Sequence, residues 1–173
     1  MNVELAIKPQ NDGFPFWKRA ILFFYVNFGK RLVKMPKIYF YDSGLACHLL
    51  KIKLEDLAHH PNRGNLFEGL VISEIIKRHY NLGEVPHLYF WRDKTGHEVD
   101  CILAEGQNLV PIEIKSSRTA VPQFFEGLTY WNNIAGKPQN NGFVVFAGAS
   151  QQIRGYKNLI SWQSIEKIFE AYE

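Results

Sequence analysis

Glu113, Ile114 and Lys115 stand together in the run "VPIEIKSS", and Asp100 interrupts "GHEVDCIL" just upstream. Both runs have the apolar composition of core strands, where a carboxylate is costly unless it is paired, protonated or bound to a cation. Two acids brought together in such a sheet repel each other. Either one keeps its proton or a cation lies between them. Mg²⁺ suits such a pair, because it takes one or two carboxylates and completes its shell with carbonyl, water and phosphate oxygens. Lys115 would then hold a phosphate oxygen or orient an attacking water. The chemistry expected of this set is metal-assisted hydrolysis of a phosphodiester. Asp100, Glu113 and the carbonyl of Ile114 are the expected ligands, and Mg²⁺ or Mn²⁺ is the expected ion.

These residues need a hairpin to meet. "HLYFWRDKTGHEVDCILAEGQNLVPIEIKSS" reads as three strands joined by turns at 93–96 and 105–108. Strand side chains alternate faces, so Glu113 and Lys115 share one face and Ile112 and Ile114 the other. The same rule groups Glu98, Asp100 and Ile102 against Val99, Cys101 and Leu103, and it sets Asp100 beside Glu113. "NLFEGLVISEIIKRHYNLG" is the clearest helix, with Asn65 as its expected cap and Gly83 as its end. "KIYFYDSGLACHLL" reads as a strand and then a helix capped by Asp42 or Ser43. "VPQFFEGLTYWNNI" places Phe124, Leu128 and Trp131 on one helical stripe. "NNGFVVFAG" reads as a strand inside a sheet covered on both faces. The C-terminal "ISWQSIEKIFEAYE" reads as a final helix or a helical end. The order of helix, three strands, helix and strand predicts an α/β fold with a mixed central sheet flanked by helices.

The acid–x–lysine motif on one strand and the acid on the strand before it resemble the restriction-endonuclease-like PD-(D/E)xK superfamily. That resemblance implies a restriction-endonuclease-like core and often adds a glutamate from the first core helix. Glu68 holds that place. Glu74, six residues on, faces elsewhere round the helix, so only one of the two can face the site. Gln123 is the candidate for an assisting polar residue on the following helix. The motifs "KMPKIYFYDSGLA", "GNLFEGLVISEII", "GHEVDCIL" and "PIEIKSS" together resemble the DUF4143 domain, the C-terminal part of prokaryotic AAA-type ATPase proteins. The family's best-kept positions fall on Lys37, Asp42, Gly44, Glu68, Asp100, Glu113 and Lys115. The resemblance covers about residues 31–173. Residues 1–30 then form an aromatic segment, the expected remnant of a preceding module. There is no G-x-x-x-x-G-K-[ST] motif, so ATP hydrolysis is not expected of this chain.

The rest of the sequence narrows the classes further. The 173 residues, 46% of them hydrophobic, suffice for one domain with a sizeable core and exclude a disordered chain. Two cysteines fit a reduced compartment, the cytoplasm. No apolar run is long enough to span a bilayer. The expected partners are nucleic acid, with DNA as the leading expectation, and an AAA-type ATPase module or a second copy meeting the apolar run of residues 14–28. The basic group Lys30, Arg31, Lys34 and Lys37 reads as a nucleic-acid contact, as a solvated face or as a contact to an ATPase module, and Lys37 also as half of a structural ion pair. Ser116 and Ser117 read as phosphate donors or as the start of a loop. His97 reads as a turn residue and Glu98 as a residue at the edge of the site. Lys115 paired to Glu113 or Asp100 is the structural reading of the same residues. A non-catalytic regulatory domain of an ATPase system, or a degenerate fragment of one, is the alternative to a nuclease-like nucleic-acid-binding domain.

Overall fold

The computed structural model describes residues 21–24, 37–106, 108–149 and 158–171. The basic residues 30, 31 and 34, and the apolar run 14–28 apart from the backbone of 21–24, lie outside the described residues. A two-stranded antiparallel ribbon, β1 (Ile21–Phe24) and β2 (Lys37–Phe40), leads into helix α1 (Ser43–Leu49). Asp42 caps that helix, its carboxylate accepting the Leu45 N–H at 3.0 Å. A Cβ at position 44 would stand 3.0 Å from the same carboxylate, which is a physical reason for Gly44.

Helix α2 (Arg63–Asn81) begins three residues earlier than a cap at Asn65 allows. Asn62 occupies the cap position and forms no side-chain cap bond, so the expected Asn65 cap is not made. Gly83, at φ +76°, turns the chain out of α2 as expected. A five-stranded mixed sheet follows in the order β3 (Leu88–Arg92), β4 (Glu98–Glu105), β5 (Asn108–Lys115), β6 (Phe143–Phe146) and β7 (Leu159–Ser161). β3, β4 and β5 form the antiparallel meander read from the sequence. β6 and β7 run parallel to β5. Helix α3 (Glu126–Ala135), entered through a 3-10 turn at Pro122–Phe125, supplies the crossover from β5 to β6. The expected helical end is a 3-10 turn and the short helix α4 (Glu166–Glu170), and strand β7 occupies the first residues of that stretch.

The sheet is buried on both faces. On one, Val71, Ile72, Ile75 and Ile76 of α2 and Ile168 of α4 pack on Cys101, Leu103, Ile112, Ile114 and Val145. On the other, Leu128 and Trp131 of α3 pack on Trp91, Val99, Ile102, Val144 and Phe146. Each fully buried aliphatic or aromatic side chain there contributes about 1.5–3 kcal/mol over leaving it in water. β6 alternates cleanly, with Phe143 and Val145 toward α2 and Val144 and Phe146 toward α3.

β4 does not alternate. Its pairing with β3 shifts register between Tyr89↔Ile102 and Trp91↔Val99, so β4 spends one residue more than β3 across the step. Val99 and Ile102 both face α3, whereas Cys101 and Leu103 face α2. The irregularity is a one-residue bulge at Asp100–Cys101. It overturns the expected grouping of Val99 with Cys101 and Leu103.

Candidate functional site

The bulge decides where Asp100 goes. Freed from strict alternation, its side chain lies across the gap between β4 and β5, and Oδ2 accepts the Ile114 N–H at 2.9 Å. Its other oxygen, Oδ1, lies 3.4 Å from Lys37 Nζ. Lys37 also reaches Glu68 Oε1 at 2.9 Å, and its ammonium sits 4.3 Å above the Phe90 ring. Lys37 and Tyr39 share a face of β2, two residues apart, and the Tyr39 hydroxyl donates to the same Glu68 oxygen. The α2 side of the gap thus holds Lys37, Tyr39 and Glu68. Of the two rival glutamates on α2, Glu68 faces this cluster, while Glu74 pairs with Lys77 at 2.7 Å on a half-exposed surface.

Glu113 and Lys115 share the opposite, α3 face, as alternation requires. Lys115 Nζ donates to Glu113 Oε1. The second oxygen, Oε2, is buried without a hydrogen-bond partner. It points at the first turn of α3, where a Cβ on Gly127 would stand 3.1 Å from it and 3.0 Å from the Glu98 carbonyl. Glycine at 127 lets α3 seat directly on Glu113. Asp100 and Glu113 are only 8% and 7% exposed, so solvent does little to screen either charge.

The electrostatics follow. Burial first, and the Asp100 charge second, push Glu113 up to about 7, against the pull of Lys115. Burial and Asp100 also hold Glu68 above the ordinary carboxylate value, with Lys37 and Tyr39 opposing. Burial alone would lower Lys37 and Lys115, but the carboxylates outweigh it and both lysines are held above their ordinary values. Burial and the charge of Glu68 raise the Tyr39 hydroxyl far above its usual range. The result is a carboxylate-rich gap closed by two ammonium groups, with Asp100 common to both sides.

The other expected site residues are placed less centrally. The Ile114 N–H serves Asp100. Gln123 lies exposed in the 3-10 turn. Ser117 forms a local turn with Thr119, the loop-starting role, and the Ser116 carbonyl accepts from Arg63 at the start of α2. Glu98 pairs loosely with Arg92 at 3.9 Å at the edge of the site. His97 lies in the β3–β4 turn as expected. Lys37 takes the ion-pair role, and Tyr39 was missed. Its signal was present, because a lysine and a tyrosine two apart on a short strand must share a face.

Among the described residues no three His, Cys, Asp or Glu side chains gather closely enough to hold a metal ion by themselves. The orphaned oxygen of Glu113 and the neighbouring Asp100 nevertheless fit a hard cation in donor type. Mg²⁺ binds with as few as one or two carboxylates and leaves its remaining positions to water and phosphate.

Fold and site together define a mixed α/β domain with a buried carboxylate–lysine cluster where two central strands part. The chain belongs to the family described as a domain of unknown function, DUF4143, whose model matches residues 63–165. A second domain of unknown function, DUF8612, matches residues 17–56, the part that supplies Lys37 and Tyr39. Uncharacterized proteins of Mycobacterium bovis and Mycobacterium tuberculosis are each 34% identical over 107 residues, covering 60% of this chain. The chain's match spans 22% of the length of these curated relatives. No solved structure matches the chain. Among the described residues no helix is long and apolar enough to cross a membrane.

Proposed function

We propose that this is a nuclease-like nucleic-acid-binding domain with a restriction-endonuclease-like core, in which Asp100 and Glu113 hold Mg²⁺ or Mn²⁺ for phosphodiester hydrolysis. The observation that supports the reading is the buried Oε2 of Glu113, which has no hydrogen-bond partner and belongs to a carboxyl that feels the charge of Asp100. A bound divalent ion would supply charge to a phosphoryl oxygen and to the oxygen that attacks it. The chain's own residues divide the remaining work. Lys115 is placed to leave Glu113 for a phosphate oxygen once that carboxylate has another partner. Glu68, its proton affinity raised by burial, would accept a proton from an attacking water. Lys37 and Tyr39 hold Glu68 in position.

A second reading has its own support. Lys37 and Lys115 already sit on the carboxylates as an internal ion-pair network, and such a network serves a non-catalytic binding or regulatory domain equally well. Incubation of labelled single-stranded and branched DNA with the protein separates the two. The nuclease reading predicts nicking with Mg²⁺ or Mn²⁺ that stops with a chelator. It also predicts loss of cleavage by orders of magnitude in Asp100→Asn and Lys115→Met, with folding checked by circular dichroism. Salt-sensitive DNA binding without cleavage under any metal would select the non-catalytic reading.

A further inference from the structure

The turn between β3 and β4 carries a second constellation, outside the carboxylate cluster. The His97 imidazole lies flat against the Tyr130 ring, with centroids 3.8 Å apart and planes 9° from parallel. Three bonds lock the pair. The Tyr130 hydroxyl donates to Asp93 Oδ2 at 2.9 Å, Asp93 Oδ1 accepts the His97 N–H at 2.9 Å, and Thr95 Oγ1 lies 2.8 Å from His97 Nδ1. Against the desolvation it suffers, hydrogen bonds from the Thr95 hydroxyl first, then from the Tyr130 hydroxyl and the His97 and Thr95 N–H groups, hold the Asp93 carboxyl well below the usual range. The charge that anchors the stack is therefore permanent near neutral pH. Nearly half of the His97 side chain remains exposed, at 48%. A rigid, exposed aromatic pair costs little entropy to use as a contact surface.

Its position gives the surface a use. His97 precedes Asp100 by three strand residues, about 10 Å at the rise of a strand. Tyr130 is one turn along α3 from Gly127, which abuts Glu113. The pair therefore rims the gap on the α3 side, the side of Glu113 and Lys115. Asp93 beneath it disfavours a phosphate there, whereas the flat neutral face of a base has no such penalty. Lys94, exposed in the same turn, and Arg92, exposed at the end of β3 and only loosely paired with Glu98, supply cations for the flanking backbone.

We propose that His97 and Tyr130 form a stacking platform for one unpaired nucleobase of a single-stranded segment entering the site. This deepens, and rests on, the nucleic-acid reading above. Only an unpaired base can offer its face to the platform, so single strands and frayed junctions are the substrate class it selects.

The test uses the full chain and a single-stranded oligonucleotide carrying 2-aminopurine, whose fluorescence falls when it stacks. Chelator is present so that nothing is cleaved. The unmodified protein quenches the probe on binding. His97→Ala loses the quench and binds about tenfold more weakly, in line with the stacking contribution of one base. The slope of binding against salt stays unchanged, because no phosphate contact is lost. His97→Phe keeps a ring but none of the imidazole hydrogen bonds, and it restores quench and affinity. Binding and quench that His97→Ala leaves intact overturn the platform alone. An affinity loss that His97→Phe fails to rescue also overturns it, as the sign of a merely structural histidine. Absence of any binding by the unmodified chain overturns both the platform and the reading on which it rests.

Discussion

Glu68, half-buried, and Glu113, buried, are two glutamates that both feel the charge of Asp100, yet their surroundings treat them differently. Glu68, on the α2 side, has one oxygen bonded by both a tyrosine hydroxyl and an ammonium group. Glu113, on the α3 side, has one lysine and a second oxygen with no partner at all. An unpartnered carboxylate oxygen in a sheet core costs about 1–3 kcal/mol or more. A structural ion pair does not require that cost, and on the proposed function a bound cation would offset it. On that proposal the α2 side serves as the scaffold and the α3 side as the socket. Asp100 belongs to both.

Removal of Asp100 is therefore the harshest way to break the comparison. Asp100→Ala strands the buried Ile114 N–H and leaves Lys37 with one carboxylate in place of two. We expect a loss of about 2–3 kcal/mol in urea unfolding. The same change removes the second-largest cause of Glu113's raised proton affinity, so Glu113 should titrate at lower pH in the variant. A loss below about 0.5 kcal/mol would mean that Asp100 does not join the two sides.

The smaller effect sharpens the contrast. Glu113→Gln removes a charge that the fold holds poorly, and near pH 7 it should cost no more than about 1 kcal/mol. The pH dependence carries the sign. Glu113 binds its proton more tightly folded, at about 7, than at its ordinary 4.5. Its stabilising contribution is thus fully present below about 4.5 and is lost as pH rises through about 7. Urea midpoints across that window should fall with pH in the unmodified protein and flatten in Glu113→Gln. Glu68 is shifted in the same direction, so the variant's profile should retain a weaker slope.

Much of this site was legible before the fold. Helical spacing separated Glu68 from Glu74, and the acid–x–lysine pattern grouped Glu113 with Lys115. Three strands and their turns followed from alternation and from the glycines at 96 and 106. What failed did so for local reasons. Alternation placed Asp100 on the face of Glu113, but a bulge inserts a residue that no periodicity announces, and it swings Asp100 toward Lys37 and Glu68. β7 is three residues long, too short to show a period of two beside the helical pattern that follows it. The start of α2 was placed at Asn65 because asparagine is a good cap, yet Asn62 takes the position. Alternation puts Tyr39 on the face of Lys37, but only the third dimension sets both against Glu68.

The central claim is that Asp100 and Glu113 form one cation socket. The most direct test follows the melting temperature with increasing Mn²⁺ in the unmodified protein, Asp100→Asn, Glu113→Gln and, as a surface control, Glu74→Gln. Asn at 100 still accepts the Ile114 N–H, so folding is preserved while ligand charge is lost. The account predicts a saturable rise in Tm for the unmodified protein and for Glu74→Gln, with most of it lost in Asp100→Asn and in Glu113→Gln. A rise of equal size in all four proteins, or none in any, would contradict it.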